Sequence, residues 1–351
     1  MLVKDQNNLK ICISLGVLAI ISLFLGSWTS FVENCYVPSI YPLLSEWLRT
    51  LSGFFPFNVG DWIYATLVLL IIKRILQRKW ASLGILIFST IIVFQLFWGI
   101  NYYKKGIAAQ LNLKKATYTR TEMNVLTRQL IDSANYYRKL VGQGAVPNMS
   151  IDELVAEAQK GFQNASRKFP FLSIQIKSVK RSWLTPVADY IGFSGYYIPF
   201  TGEANLRDDL PAMLNPYIIC HEVAHQLGYA SESEASFVGL LAAEASSNPT
   251  LKYSLYLDLL GYALYEQYLL SASLPYADFE NIVKENRSRL DTLVKKDRKE
   301  IRDFFSERKN AISPISNELY DQFLKLQQQS QGIRSYNEII GWYINYQKIK
   351  S

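Results

Sequence analysis

The stretch Cys220-His221-Glu222-Val223-Ala224-His225-Gln226-Leu227-Gly228 contains His-Glu-x-x-His, and its two histidines are the only ones in the 351-residue chain. Residues four apart lie on one face of a helix, so both imidazoles can reach one metal ion. Glu222 follows the first histidine, where it can take a proton from a metal-activated water. The pattern therefore predicts a zinc site with His221 and His225 as ligands and Glu222 as general base. Two hydrogen-bonded core histidines on a buried helix are the alternative.

Residues on either side of the motif predict a helix over about 216–227. Asn215 is a good N-cap, and Pro216 suits the first helical position. Gly228 is a natural end for the helix, because glycine readily adopts the left-handed conformation there. Cys220 points about 100° away from its neighbour His221, so we expect it to pack in the core rather than bind the metal.

A catalytic zinc usually has three protein ligands and one open position, and a carboxylate must complete this set. The stretch Ser231-Glu232-Ser233-Glu234 is typical of a capping box, in which Ser231 caps the next helix and Glu234 reaches back to it. This leaves Glu232 as the predicted third ligand. Glu234 is the second choice, followed by Glu244 or another acid.

These residues resemble the gluzincin type of zinc peptidase, in which a Glu-x-x-Ala/Ser-Asp stretch supplies the third ligand; Glu232-x-x-Ala235 matches it here. The whole chain is also similar to an uncharacterised bacterial family of membrane-anchored zinc peptidases with three N-terminal spans. The matching stretches are Ser-Gly-Tyr-Tyr-x-Pro-Phe-Thr-Gly-Glu-Ala-Asn at 194–205 and Cys-His-Glu-x-Ala-His at 220–225. The resemblance implies a zincin-like α+β domain that hydrolyses peptide bonds.

The chain departs from the gluzincin pattern at two places. The gap between His225 and Glu232 is very short, and Ser236 stands where an acid that holds a ligand histidine is expected. A second carboxylate that orients a histidine is therefore not predicted at that position.

Three apolar runs, at about 11–31, 59–76 and 82–101, are long enough to span a bilayer. They predict a membrane anchor over 1–104 and a separate domain over 105–351. A cleaved signal peptide is the alternative for the first run, although no small-residue cleavage site follows it.

The distribution of Lys and Arg predicts the orientation of these spans. Four of the seven residues 73–79 are Lys or Arg, whereas the loop between the first two spans has only Arg49. By the positive-inside rule the N-terminus and the second loop are cytoplasmic. The domain then lies on the outer face of the bacterial cytoplasmic membrane.

The predicted fold class is mainly α, with three transmembrane helices and a zincin-like α+β domain that has a small sheet and long C-terminal helices. Capping and periodicity predict helices from Thr121 to about Gly142 and from Ser150 to about Lys168. The further predicted elements are a strand over 171–183, a strand and turn over 189–205, a core helix over 251–270, a charged, solvated helix over 278–309 and two short helices over 315–349.

The function that this pattern favours is a zinc metallopeptidase acting on a peptide or protein of the cell envelope. Tyr196, Tyr197 and Tyr262 are candidates for stabilising the oxyanion. Alternatives are a non-catalytic scaffold with a structural metal site, and a zinc hydrolase of a non-peptide bond. Intramembrane proteolysis is less favoured, because charged residues flank the metal helix closely and leave too short an apolar run.

The charge pattern does not favour a nucleic-acid partner. The net charge is +7, but it is spread along the chain without an arginine-rich stripe. No feature of the sequence indicates an oligomeric state.

The topology can be tested with a reporter enzyme that is active only outside the cytoplasm. A fusion after Ser351 should be active, and a fusion near Arg78 should be silent, because the Lys/Arg bias keeps residues 73–79 inside. The reverse pattern would overturn the orientation.

Overall fold

The computed structural model describes residues 2–113, 118–312 and 338–350, with five isolated residues between 314 and 325. The fold is mainly helical, as predicted, and the described residues form one three-stranded sheet. The predicted short helices over 315–349 lie largely outside the described residues, apart from the last helix.

The first hundred residues are almost entirely helical. They form α1 (Leu2–Leu25), α2 (Thr29–Phe31), a π-helix (Val32–Ile40), α3 (Tyr41–Gly53), α4 (Val59–Leu76) and α5 (Trp80–Phe97). The segment 32–57, which the sequence predicts only as a loop between the first two spans, is therefore mostly regular helix. The reason is packing, since Tyr36 and Tyr41 are buried in a small core together with Trp98.

Among the described residues, two helices are long and apolar enough to cross a membrane, by length and composition alone: Gln6–Leu25 within α1, and α5. Only 17% of the first and 6% of the second is buried, unlike the core helix of a soluble protein. The helix α4 has the predicted bounds, but it is not counted with these two, and it carries Asp61, Lys73 and Arg74. The predicted number of three spans therefore stays a prediction.

Glycines bring α1 and α5 into close contact. A Cβ atom at Gly16 would lie 3.2 Å from the Phe88 ring, and a Cβ atom at Gly84 would collide with the sulfur of Cys12. Small residues at such crossings let helix backbones approach each other inside a membrane.

The rest of the chain surrounds one central helix, α10. After a 3₁₀ turn at Gly99–Tyr103 come α6 (Ile107–Gln110), α7 (Arg120–Val141), α8 (Ile151–Ser166), β1 (Val179–Arg181), α9 (Ala188–Ile191), β2 (Gly195–Ile198), β3 (Glu203–Leu206), α10 (Asn215–Gln226), α11 (Glu232–Ala245), α12 (Pro249–Ser271), α13 (Tyr276–Arg289), α14 (Thr292–Glu307) and α15 (Glu338–Lys350). The helices α8, α11 and α12 and the strands β2 and β3 all pack on α10.

Most helix predictions are confirmed, and two element predictions need correction. The helix α8 has the predicted capping box between Ser150 and Glu153, and α12 is a buried core helix. The predicted strand over 171–183 is wrong except for Val179–Arg181, because 170–172 form a 3₁₀ turn. The predicted single helix over 278–309 is two helices, since the chain breaks where Leu290 packs into the core.

The sheet has the order β1-β3-β2. The central strand β3 is fully buried and pairs with β1 in parallel and with β2 in antiparallel orientation. The hairpin between β2 and β3 agrees with the predicted strand and turn before the metal helix. Within the described chain β2 is an edge strand.

A buried acid joins β3 to the start of α4. The Glu203 carboxylate accepts hydrogen bonds from the backbone N–H groups of Val59 (3.0 Å) and Gly60 (2.5 Å), and it forms an ion pair with Lys180. An anion is favoured at this place because the helix dipole presents its positive end there. Lys180 also donates to the carbonyls of Ser52 (2.9 Å) and Phe57 (2.6 Å), so this pair fixes the corner between α3 and α4.

We expect Glu203→Gln to destabilise the protein by about 3–5 kcal/mol, because it leaves Lys180 as an unpaired, largely buried charge. Thermal unfolding of the purified full-length protein measures this. The matched control is Glu46→Gln, which removes an exposed ion pair with Lys177 and should change little. Equal effects of the two substitutions would contradict this prediction.

Candidate metal centre

The helix α10 carries the motif with nearly the predicted bounds. Its N-cap is Leu214 rather than Asn215, which is the first helical residue and is buried, so the predicted cap is wrong by one position. Pro216 lies in the first turn, as predicted. Cys220 is fully buried, and burial raises the pKa of its thiol to about 12, in agreement with a packing role.

Gly228 ends the helix in a Schellman motif, with φ of +84°. The N–H of Gly228 donates to the His225 carbonyl (2.8 Å), and the N–H of Tyr229 donates to the Ala224 carbonyl (3.2 Å). This turn places the Tyr229 carbonyl beside the His225 ring, 2.7 Å from Nδ1. A carbonyl only accepts, so His225 Nδ1 carries a proton and Nε2 is the free ligand atom in the neutral ring.

Glu232 begins α11 and faces both histidines. The distances are 3.2 Å between the two Nε2 atoms, 3.1 Å from His221 Nε2 to Glu232 Oε2, and 3.7 Å from His225 Nε2 to the same oxygen. Bonds of about 2.0–2.2 Å in a tetrahedron place neighbouring zinc ligands about 3.3–3.6 Å apart. The three atoms therefore have the spacing, and the donor types, that one face of a zinc site requires. The side chains of His221, His225 and Glu232 are called the metal cluster below.

Ser236 supports the first histidine. Its Oγ lies 3.0 Å from His221 Nδ1, which leaves Nε2 directed at the cluster. This is the position where the gluzincin pattern has an acid, and a hydroxyl occupies it here. Sequence reasoning identified the departure but not this contact, although a serine four residues after the ligand was the available signal.

The other two acids considered as third ligand lie elsewhere. The Glu234 carboxylate accepts a hydrogen bond from the backbone N–H of Ile107 (3.1 Å) instead of reaching back to Ser231, so the predicted capping box is wrong. Its carboxyl is also close to Lys104, whose charge acts on it. Glu244 accepts from the Tyr343 hydroxyl (2.8 Å).

Glu222 is buried beside the cluster without joining it. A Cβ atom at Gly195 of β2 would lie 2.5 Å from Glu222 Oε1, so a larger residue there would require the Glu222 side chain to move. Its Oε2 is buried and has no hydrogen-bond partner in the part of the chain that the structure describes. An acid in this setting fits a bound water or ion as its missing partner.

The charges of the cluster follow from burial and mutual contact. Burial raises the pKa of Glu222 to about 8, opposed by His225 and assisted by Glu232. Burial alone would lower the pKa of His225, but its hydrogen bond to Glu232 and the two nearby carboxylates raise it to about 9. Hydrogen bonds with His221 and His225, and the charges of both rings, hold the pKa of Glu232 well below its usual range despite burial. Glu232 is therefore anionic at neutral pH, as a metal ligand must be.

The three tyrosines considered for the oxyanion have different surroundings. The Tyr196 hydroxyl donates to Asp61 (3.0 Å), away from the cluster, and the Tyr197 ring lies 6.2 Å from the His225 ring. Burial raises the pKa of Tyr262 well above its usual value, and the charges of Asp258 and Glu232 add to this. Burial and the charge of Glu232 also raise the pKa of Tyr102, which the sequence did not single out. Both hydroxyls are thus protonated at neutral pH.

Residues 36–344 match the model of a family described as "Protein of unknown function (DUF3810)", and the chain belongs to that family. The match begins in the π-helix before α3 and extends into α15, so the family unit includes α4 and α5 as well as the metal helix. No curated protein and no solved structure matches the chain.

The ligand assignment is tested by substituting the two acids of α11 separately. Glu232→Gln should lower zinc affinity more than about 100-fold, since even losing an outer-shell partner costs about 10–100-fold. Glu234→Gln should keep the metal, because an amide oxygen can still accept from Ile107. Metal content by mass spectrometry and titration calorimetry measure both. Loss of zinc in Glu234→Gln alone would make the assignment wrong by two residues.

Proposed function

We propose that the protein is a membrane-anchored zinc metallopeptidase. The observation that carries this proposal is the spacing of His221, His225 and Glu232, combined with the buried, unpartnered oxygen of Glu222 beside them. Two imidazoles and one carboxylate with an open fourth position are the ligand set of catalytic rather than structural zinc sites. When bound, zinc would lower the pKa of a coordinated water and polarise the scissile carbonyl.

In this proposal Glu222 accepts the proton of the attacking water and passes it to the leaving amine. Its pKa of about 8 in the buried cluster falls when a divalent cation binds nearby, since opposite charge favours the carboxylate. Ser236 and the Tyr229 carbonyl hold the two imidazole rings in place. The hydroxyl of Tyr262, or that of Tyr102, donates to the developing oxyanion.

An extended substrate has a place to bind along β2. This strand is at the edge of the sheet in the described chain, and its first residue, Gly195, lies against Glu222. A peptide that adds to this edge would bring a backbone carbonyl close to the cluster. Because a strand edge binds its partner through main-chain hydrogen bonds, it favours a peptide over other substrates.

The anchor in this proposal consists of α1, α4 and α5, with the metal cluster outside the cytoplasm. The close packing of α1 on α5 supports a retained α1 rather than a cleaved signal peptide, because the two helices would support each other in the membrane. The charges on α4 are at its two ends, where they reach the headgroups.

Glu222→Gln separates the enzyme from a scaffold with a structural metal. The amide keeps the shape of the side chain but cannot accept the proton, so hydrolysis should fall by about 10² or more while zinc stays bound. Cleavage of a peptide library, with metal content and thermal unfolding measured on the same samples, gives the result.

The matched control is Glu244→Gln, an acid of α11 that is bonded to Tyr343 and lies outside the cluster. It should leave hydrolysis nearly unchanged. If Glu222→Gln retains the wild-type rate, or fully restores the function of a deletion strain, the peptidase proposal fails even with zinc present.

A further inference from the structure

The metal cluster lies close to the end of a candidate membrane span. Trp98 directly follows α5, and its ring centroid is 6.0 Å from that of His225. Tyr197 of β2 lies against the same tryptophan, 4.6 Å away. An 18-residue helix such as α5 is about 27 Å long, which matches the apolar thickness of a bilayer. In the proposed anchor, Trp98 is thus at the level of the lipid headgroups.

The hairpin between β2 and β3 points to the same level. Its Phe200 ring packs between Tyr64 of α4 (5.7 Å) and Phe94 of α5 (6.5 Å), so the turn lies among the outer ends of both helices. From there β2 runs back to Gly195 beside Glu222, a rise of about 10–17 Å at 3.3 Å per residue. The edge strand therefore leads from the membrane surface to the cluster.

Further exposed aromatic side chains lie near the same ends of the candidate spans as Trp98 and Phe200. Trp183, which is 52% exposed, packs on Trp62 of α4 (5.8 Å) and on Phe57 (6.0 Å). Phe54, at the corner between α3 and α4, is 77% exposed, and Leu184 next to Trp183 is also exposed. Tryptophan rings at the ends of spans are typical of the membrane–water interface. Trp62, Trp183, Phe54 and Phe57, together with the adjacent Leu184, are called the aromatic belt below.

We propose that the substrate is the juxtamembrane segment of a membrane-anchored polypeptide, which rises from the bilayer along β2 and is cut within its first few residues outside the lipid. The lipid surface covers the aromatic belt and fixes the height of the cluster above the bilayer. The substrate class rests on the proposed peptidase activity, whereas the position of the belt in the lipid rests only on the proposed anchor.

The first experiment measures the position of the belt without activity. The full-length protein, with Cys12→Ser and Cys35→Ser, carries a bimane label at Leu184→Cys or at Leu140→Cys in nanodiscs containing lipids with a doxyl quencher near the headgroup. Both leucines are exposed, but Leu140 is on α7, which packs against α12. The label at 184 should be quenched at least threefold more than the label at 140. Equal quenching would overturn the proposed membrane position.

The second experiment measures where cleavage occurs. Random octapeptides are joined to a span of about 20 leucines, either directly or through twenty prolines, which add about 60 Å as a stiff spacer. Both libraries are reconstituted with the zinc-loaded protein at equal surface density, and the products are mapped by mass spectrometry. The directly joined library should be cut at least tenfold faster, within its eight residues.

The outcomes separate the two proposals. If both libraries are cut at equal rates, the juxtamembrane specificity is wrong and the peptidase proposal stands. If neither is cut, and soluble peptides are also left intact, the peptidase proposal fails, and the substrate class fails with it. The quenching result then still decides whether the belt lies in lipid.

Discussion

The candidate site depends on the positive φ of Gly228, because this residue reverses the chain immediately after the second histidine. The reversal directs the Tyr229 carbonyl to His225 and starts α11 early enough for Glu232 to reach the cluster. A side chain at this position would be strained by its conformation, and its Cβ atom would lie 2.6 Å from the Tyr41 ring. One backbone conformation therefore fixes the ring of His225, the position of the third acid, and the contact between α10 and the N-terminal helices.

The short connection between α10 and α11 also explains why a serine, rather than an acid, contacts the His221 ring. A reversal of six residues between His225 and Glu232 brings α11 so close to α10 that a Cβ atom at Gly239 would lie 3.0 Å from the His221 backbone nitrogen. One turn earlier on α11, Ser236 already reaches the His221 ring with a two-atom side chain. A second carboxylate there would add another negative charge beside two buried acids, at a cost in desolvation. The hydroxyl satisfies the ring nitrogen without that charge.

Local signals in the sequence were sufficient for the metal helix, its end at Gly228 and the proximity of Glu232, because spacing and turn chemistry act within a few residues. The capping box that favours Glu232 over Glu234 is wrong, since Glu234 contacts Ile107 rather than Ser231. A partner 127 residues away leaves no local pattern in the sequence. For the same reason the sequence does not reveal the roles of Glu203 and Trp98. Glu203 joins the sheet to α4, and Trp98, which follows α5, lies against His225 of α10. Only tertiary packing brings these partners together. The helical character of 32–57 was also missed, since burial of Tyr36 and Tyr41 outweighed weak local preferences.

The contacts across the predicted boundary at residue 104 argue that the N-terminal helices are part of the site. The Tyr41 hydroxyl lies 3.3 Å from the carbonyls of His225 and Gln226, and Ser45 donates to the Gln226 carbonyl (2.9 Å). Both carbonyls belong to the end of α10, where no later turn of the helix supplies N–H donors. The His225 carbonyl also accepts from the Gly228 N–H, whereas α3 supplies both side-chain hydroxyls that contact the Gln226 carbonyl, so this carbonyl would lose those donors without α3. The family match has the same extent, since it begins at Tyr36. Composition divides this chain into an anchor and a domain, but the hydrogen bonds at the end of α10 make the two parts one structural unit.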